Sequence, residues 1–308
     1  MAYYEECLCE EKEPSISIIR SLTEFVRRNS APTMSEFMTN LSQVKTTLQE
    51  HTRKSVGMLA GHDLFMALFT HYAQEYTEAK KGAFEHFKGH VLNRTRVILH
   101  RLHQSQWEAA QLAAQFINDM GIVLVPVPCM AIMKMLDHAY RVENKRFKVL
   151  MAEGGPEGQG LRAVQELQAL GIPCQVILDS AIGYIMDRVD VIYVGAQGVV
   201  ENGGIINQVG TYQTALVAKT LGKPVYVIAE SYKFVRMYPL NQYDLPSVTP
   251  EIVDFVSLTR YTTNPPLDLV SSNPSIDYTP PQYLTLLFTD LGVLTPSGVS
   301  DELIKLYL

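Results

Sequence analysis

Residues 191–212, VIYVGAQGVVENGGIINQVGTY, decide the fold. Val191, Ile192, Tyr193, Val194 and Ala196 make an apolar run around Gly195, as a strand buried on both faces requires. A polar, glycine-rich loop follows, and helical spacing resumes at Thr211. In an open parallel sheet, ligands are held just beyond the carboxyl end of such a strand. The loop offers Gln197, Glu201, Asn202, Asn207 and Gln208 but no nucleophile beside a base. It predicts a small-molecule site that lacks obvious chemistry.

The same alternation extends on both sides. GIVLVPVP (121–128) precedes a helix to about Val142, and RFKVLMAE (146–153) precedes one from Gly160 to Leu170. PCQVILD (173–179) leads into SAIGYIMDRV, and KPVYVIAES (223–231) closes the series. Repeated strand–helix units of this length predict a parallel sheet with helices on both faces. From Tyr238 to Pro281 the chain is rich in Pro, Asn, Ser and Thr and reads as an irregular excursion. Helices are expected at 282–288 and 300–306.

Toward the N-terminus the period changes. Ile16, Ile19, Leu22, Phe25 and Val26 keep three- and four-residue spacing, as do Phe37, Leu41, Val44 and Leu48; this is the signature of helices with one apolar face. Thr33 stands three residues before Glu36, as in a capping box. Breaks are expected at 29–32 and around Gly57–Gly61. The fold class is therefore α/β: an N-terminal all-helical domain, residues 1–117, then a Rossmann-like parallel-sheet domain, residues 118–308.

The 308 residues are 47% hydrophobic, enough for the cores of two domains. A net charge of −6 speaks against nucleic acid, which calls for a basic face. The basic group Arg141, Lys145, Arg146 and Lys148 reads as solvated. The acidic start MAYYEECLCEEKEP reads as a frayed tail and lacks the order of a secretory leader. No apolar run approaches the ~20 residues of a membrane span, so a cytoplasmic protein with reduced thiols is expected. Gly158, Gly160 and Ala163 fit G-x-G-x-x-G/A with Asp179 about 20 residues on. However, Gly154–Glu157 separate Gly158 from the strand, and an ordinary glycine-rich loop is the better reading. His86 and His90 stand four apart without a third ligand, so neither a metal nor a cofactor is expected.

Four strings carry a resemblance: GAQGVVENGGIINQVGTY, KPVYVIAESYKFVRMYPLNQYDLP, IDYTPPQYLTLLFTDLGVLTPSGVSDELIKLYL and LDSAIGYIMDRVD. They closely resemble the alpha-subunit branch of the initiation factor 2B alpha/beta/delta family, strongly from about residue 172 onward. The resemblance implies a non-catalytic regulatory subunit of the guanine-nucleotide exchange factor for initiation factor 2. Such a subunit forms a homodimer through its sheet domain, joins beta and delta subunits, and senses phosphorylation of the alpha subunit of initiation factor 2. Arg20, Arg27, Arg28, Lys45, Arg53 and Lys54 are candidate phosphate contacts. The same superfamily holds sugar-phosphate (aldose–ketose) isomerases, the alternative reading. Their catalytic aspartate aligns with Gln197 and their catalytic cysteine with Val127, two places before Cys129. Their Glu-Thr-Arg-Pro aligns with Glu153-Gly154-Gly155-Pro156. The resemblance thus implies a vestigial pocket at Glu153, Asp179, Gln197, Glu201, Asn202 and Asn207, with weak or no sugar-phosphate binding.

Overall fold

The computed structural model describes residues 2–11, 13–31, 33–51, 56–76, 83–155, 158–245 and 273–307. Most of the irregular stretch expected before Pro281 lies outside these residues, as do Arg53 and Lys54. The chain divides into two compact units, residues 1–106 with 230–234, and 107–229 with 235–308.

The first unit contains α1 (Ala2–Glu11), α2 (Pro14–Arg28), α3 (Met34–His51), α4 (Val56–Tyr76) and most of α5 (Ala83–Ala114). The periodic residues bury one face of each helix. Ile16, Ile19, Leu22 and Val26 of α2 meet Phe37 and Leu41 of α3, Phe65 and Phe69 of α4, and Phe87 of α5. Phe69 stacks on Phe37 at 5.2 Å and meets Phe87 edge-on at 5.0 Å. Thr33 caps α3 as expected, its Oγ1 accepting from the Glu36 amide at 3.3 Å.

Two expectations fail here. The acidic tail is the helix α1, with Tyr4 and Cys7 buried. The break at Gly57–Gly61 is the first turns of α4. Glycine serves contact at this point rather than interruption, because a Cβ at Gly61 would overlap the Ser15 carbonyl oxygen of α2. Ser15 Oγ in turn donates to the Gly57 carbonyl at 2.7 Å. Gly61→Val should therefore push the two helices apart and cost about 2–3 kcal/mol, the usual scale of overpacking, read as a lower urea midpoint.

Residues 230–234 add a buried charge cluster to this unit. Lys233 Nζ lies 2.8 Å from Glu230 Oε2 and 3.2 Å from Glu13 Oε2. All three residues are at most 6% exposed, and Glu230 Oε1 has no hydrogen-bond partner among the described residues.

In the second unit the strands are β1 (Ile122–Val125), β2 (Lys148–Ala152), β3 (Cys174–Ile177), β4 (Val191–Gly195), β5 (Gly198–Val199), β6 (Ile205–Gln208), β7 (Val225–Ile228), β8 (Ile276–Thr279), β9 (Leu286–Thr289) and β10 (Gly292–Leu294). The helices are α6 (Met130–Arg141), α7 (Gln159–Ala169), α8 (Ile182–Ile185), α9 (Thr211–Thr220) and α10 (Val299–Tyr307). Seven strands form one sheet in the order β10-β9-β7-β4-β1-β2-β3, parallel except for the antiparallel pair β9–β10. β5, β6 and β8 form a small antiparallel sheet.

The α/β class stands, with three local corrections. The helix expected at 282–288 is a single 3-10 turn followed by strand β9. The loop after β4 contains β5 and β6. The series does not close at β7, because β9 pairs beside it in parallel.

Candidate functional site

The sheet changes direction between β1 and β4. Strands β2 and β3 extend from β1 to one edge, and β7 and β9 extend from β4 toward the other. The crevice beyond the carboxyl ends of β1 and β4 is the topological switch point, where open α/β sheets hold their ligands. Cys129 sits there as the residue before α6, in an extended conformation. Its Sγ occupies the space a Cβ at Gly195, the last residue of β4, would take. A side chain at 195 would have to displace the thiol.

Gln197, two residues beyond β4, donates its backbone N–H to the Ile206 carbonyl at 2.8 Å. Its side-chain Oε1 is buried with no hydrogen-bond partner among the described residues. A buried amide oxygen left unpaired costs ~1–3 kcal/mol, so it is an acceptor ready for a ligand donor. An amide neither gives nor takes a proton near neutrality, so it cannot serve as the acid or base of an isomerisation.

The other expected residues do not converge on this point. Glu153 follows β2 and is half-buried, one strand away from Cys129. Asp179 follows β3, three strand spacings or ~14 Å from Gln197. Its Oδ1 accepts from the Gly154 N–H at 3.1 Å and its Oδ2 from the Gly155 N–H at 2.9 Å. Asn202 donates to the Tyr278 hydroxyl at 2.6 Å and accepts from the Gly204 amide at 2.9 Å. Asn207 is buried and donates to Thr211 Oγ1 at 3.1 Å. Glu201 is exposed on the turn between β5 and β6.

Asp277 was missed by the sequence reading. It is buried on β8, paired in register with Asn207. Its Oδ2 accepts from the Gly210 and Tyr212 amides at 2.7 and 3.0 Å, which closes the first turn of α9. The only signal was a carboxylate inside the strand-like run IDYT. Burial pushes this carboxyl up to about 7, against the pull of the amides. The ordinary aspartate value is ~3.9, so the folded state binds the proton more tightly than the unfolded chain. The stabilisation is complete below that value and is lost as pH rises through about 7. Between pH 5 and 7 the unfolding free energy should fall by up to about 1.4 kcal/mol per pH unit. In Asp277→Asn this slope should flatten, as urea melts at several pH values would show.

Backbone amides at a helix start or in a glycine turn are natural seats for phosphate. Two such seats, Gly154–Gly155 and the start of α9, are each filled by a carboxylate of the chain. The glycine pattern at 158–163 serves packing, since a Cβ at Gly160 would overlap the Ala152 carbonyl. The basic group at 141–148 is also engaged. Arg141 pairs with Asp137 at 3.0 Å, and Lys145 with Glu143 at 2.8 Å. Arg146 lies over the Tyr140 ring, and Lys148 reaches Gln175 at 3.2 Å. Among the described residues, no three His, Cys, Asp or Glu side chains are grouped to hold a metal; the His86 side chain lies outside them. No helix among them is long and apolar enough to cross a membrane.

A helical region followed by a doubly wound sheet, with a thiol and an amide at the switch point, defines a Rossmann-like α/β protein with a ligand-type crevice. The chain belongs to the initiation factor 2 subunit family, whose model matches residues 11–296. It is 38% identical over 313 residues to translation initiation factor eIF2B subunit alpha of Dictyostelium discoideum, spanning 100% of this chain and 96% of that protein. It is 29% identical over 231 residues to a ribose 1,5-bisphosphate isomerase of Archaeoglobus fulgidus, spanning 73% of this chain and 68% of that one. The crystal structure of the tetrameric eIF2B-beta2-delta2 complex from C. thermophilum has the same fold. Its TM-score is 0.71 at 19% identity, covering 94% of this chain and 87% of that one.

Proposed function

We propose that this chain is a non-catalytic regulatory subunit of the guanine-nucleotide exchange factor for translation initiation factor 2. In this reading it forms a cytoplasmic homodimer through the sheet domain and joins beta and delta subunits. It responds to phosphorylation of the alpha subunit of initiation factor 2 and takes no cofactor, nucleic acid or membrane as partner. The observation that carries the proposal is the full-length likeness to an eIF2B alpha subunit. The pocket chemistry supports it: Gln197 and Val127 align with the aspartate and cysteine of the isomerases, and neither can shuttle a proton. Of the six expected pocket residues, Asp179, Asn202 and Asn207 already spend polar atoms on the chain itself. The remaining three are Gln197 beyond β4, Glu153 two strands away beyond β2, and the exposed Glu201.

The test is co-expression with beta and delta subunits and purification through a tag on one of them. Stoichiometric recovery is the expected result, and exchange by the assembly should weaken when phosphorylated initiation factor 2 is added. Recovery of the tagged beta and delta subunits without this chain would overturn the proposal.

A second reading, a sugar-phosphate isomerase with a rearranged site, draws on the Cys129 thiol at the switch point and the likeness to an isomerase. Incubation with ribose 1,5-bisphosphate or methylthioribose-1-phosphate should yield no ketose above the uncatalysed background. Turnover that disappears in Cys129→Ser would establish the isomerase instead.

A further inference from the structure

Large apolar side chains scattered singly over a surface are ordinary; several on one pinned loop are not. Tyr238, Leu240 and Tyr243 follow β7 closely in sequence and are 63%, 80% and 64% exposed. The backbone that carries them is tied to both edges of the small sheet. On the β5 side, the Val235 N–H donates to the Val199 carbonyl at 2.9 Å and the Glu201 N–H to the Met237 carbonyl at 3.1 Å. On the β8 side, Gln242 Nε2 donates to the Tyr278 carbonyl at 2.6 Å, and its Oε1 accepts from the Tyr278 N–H at 2.7 Å. Between these anchors Asn241 and Asp244 form a capping box. Asp244 Oδ2 accepts from the Leu240 and Asn241 amides at 2.7 and 3.1 Å, and Asn241 Oδ1 from the Tyr243 amide at 2.8 Å.

These bonds occupy backbone groups that an incoming strand would otherwise pair with, so the loop offers side chains rather than a sheet edge. Tyrosine suits such a place, being apolar along the ring and polar at the tip. A loop already held in shape loses little entropy on binding. The charge beside it is negative. Glu201 is exposed, its carboxylate has no partner among the described residues, and its amide bond to Met237 sets it next to Tyr238. Asp244 is exposed as well. Arg236, the one cation of residues 235–245, is engaged within the chain.

We propose that the loop bearing Tyr238, Leu240 and Tyr243 is a docking site for a proline-rich segment of another protein with a basic residue beside its prolines. Such a segment is extended, makes no internal hydrogen bonds, and docks on aromatic surfaces at low entropic cost. The tyrosine rings and Leu240 would pack on the pyrrolidine rings, and the tyrosine hydroxyls would donate to the free carbonyls. Glu201 would pair with the basic residue, which fixes the direction of the segment. Single-stranded nucleic acid also stacks on aromatic rings but is held in a positively charged groove, and here the flank is acidic. The inference stands independently of the exchange-factor reading.

The test uses the full chain and a fluorescein-labelled peptide, Arg-Pro-Leu-Pro-Pro-Leu-Pro, read by anisotropy. Peptides with every proline changed to alanine, or with the arginine changed to glutamate, serve as comparisons, together with poly-uridine. The proline peptide should bind, and the alanine peptide should bind at least tenfold more weakly. The double variant Tyr238→Ala, Tyr243→Ala should lose binding more than tenfold with an unchanged thermal melt, because both side chains face solvent. Glu201→Lys, a change on an exposed turn, should weaken the arginine peptide severalfold and strengthen the glutamate peptide. The inference is overturned if the proline peptide does not bind, if the alanine peptide or poly-uridine binds as well, or if either variant binds the proline peptide as the unaltered chain does.

Discussion

Lys233→Met should lower the unfolding stability by about 3–5 kcal/mol, the cost of stranding buried charge when its partner is removed. Lys233 is 3% exposed and faces two carboxylates, Glu13 and Glu230, that are equally removed from water. Methionine fills a similar volume, so lost packing contributes little and the effect isolates the charge. The cluster carries two acids for one base, and Glu13 takes up the imbalance. Burial pushes its carboxyl up, and the Glu230 charge adds to this against the attraction of Lys233. A raised folded value means that the Glu13 contribution is present in acid and lost as pH rises through that value. Glu13→Gln should therefore be far milder than Lys233→Met and should flatten the loss of stability with rising pH. Chemical denaturation of both variants across pH measures this. Equal costs for the two would show that the ammonium is not the group that matters.

Phe288→Ala should cost about 3–5 kcal/mol, as large-to-small changes of fully buried aromatic residues do. Phe288 is wholly buried on β9, opposite Ile228 of β7. Its ring lies 4.8 Å from that of Phe116 and 5.4 Å from that of Tyr226. Tyr193 joins this aromatic layer and fixes its hydroxyl on the Ala113 carbonyl at 3.1 Å. Truncation would leave a cavity against the C-terminal end of α5 and loosen the outer strands β9 and β10. Phe288→Leu should recover most of the loss. A variant with near-wild-type urea midpoint would contradict the strand assignment itself.

The same residue shows where sequence reading reached its limit. Leu284, Leu286, Leu287, Phe288 and Leu291 have a spacing that suits a helix as well as a strand, and periodicity alone does not separate the two in a short apolar run. Partnership decides: β7 presents an open edge, and Leu286, Leu287 and Phe288 pair with it. The earlier strands were legible because each apolar run is bounded by turn residues and followed by a helix. Gly61 was misread because a glycine that ends a helix and one that admits a neighbouring helix look alike in one dimension. The candidate site was half legible. The loop after β4 identified the switch point, and the chemistry of Gln197 followed from its side chain. Asp277 was invisible, because it reaches the start of α9 from a strand 67 residues later than Gly210. That distance is bridged only by folding.

Asp179 and Asp277 give the chain an independence of its own. A fold whose amide cradles wait for phosphate is held together partly by its substrate, and it loosens when the metabolite runs short. This chain brings its own carboxyl groups to those cradles, so their shape is set from within.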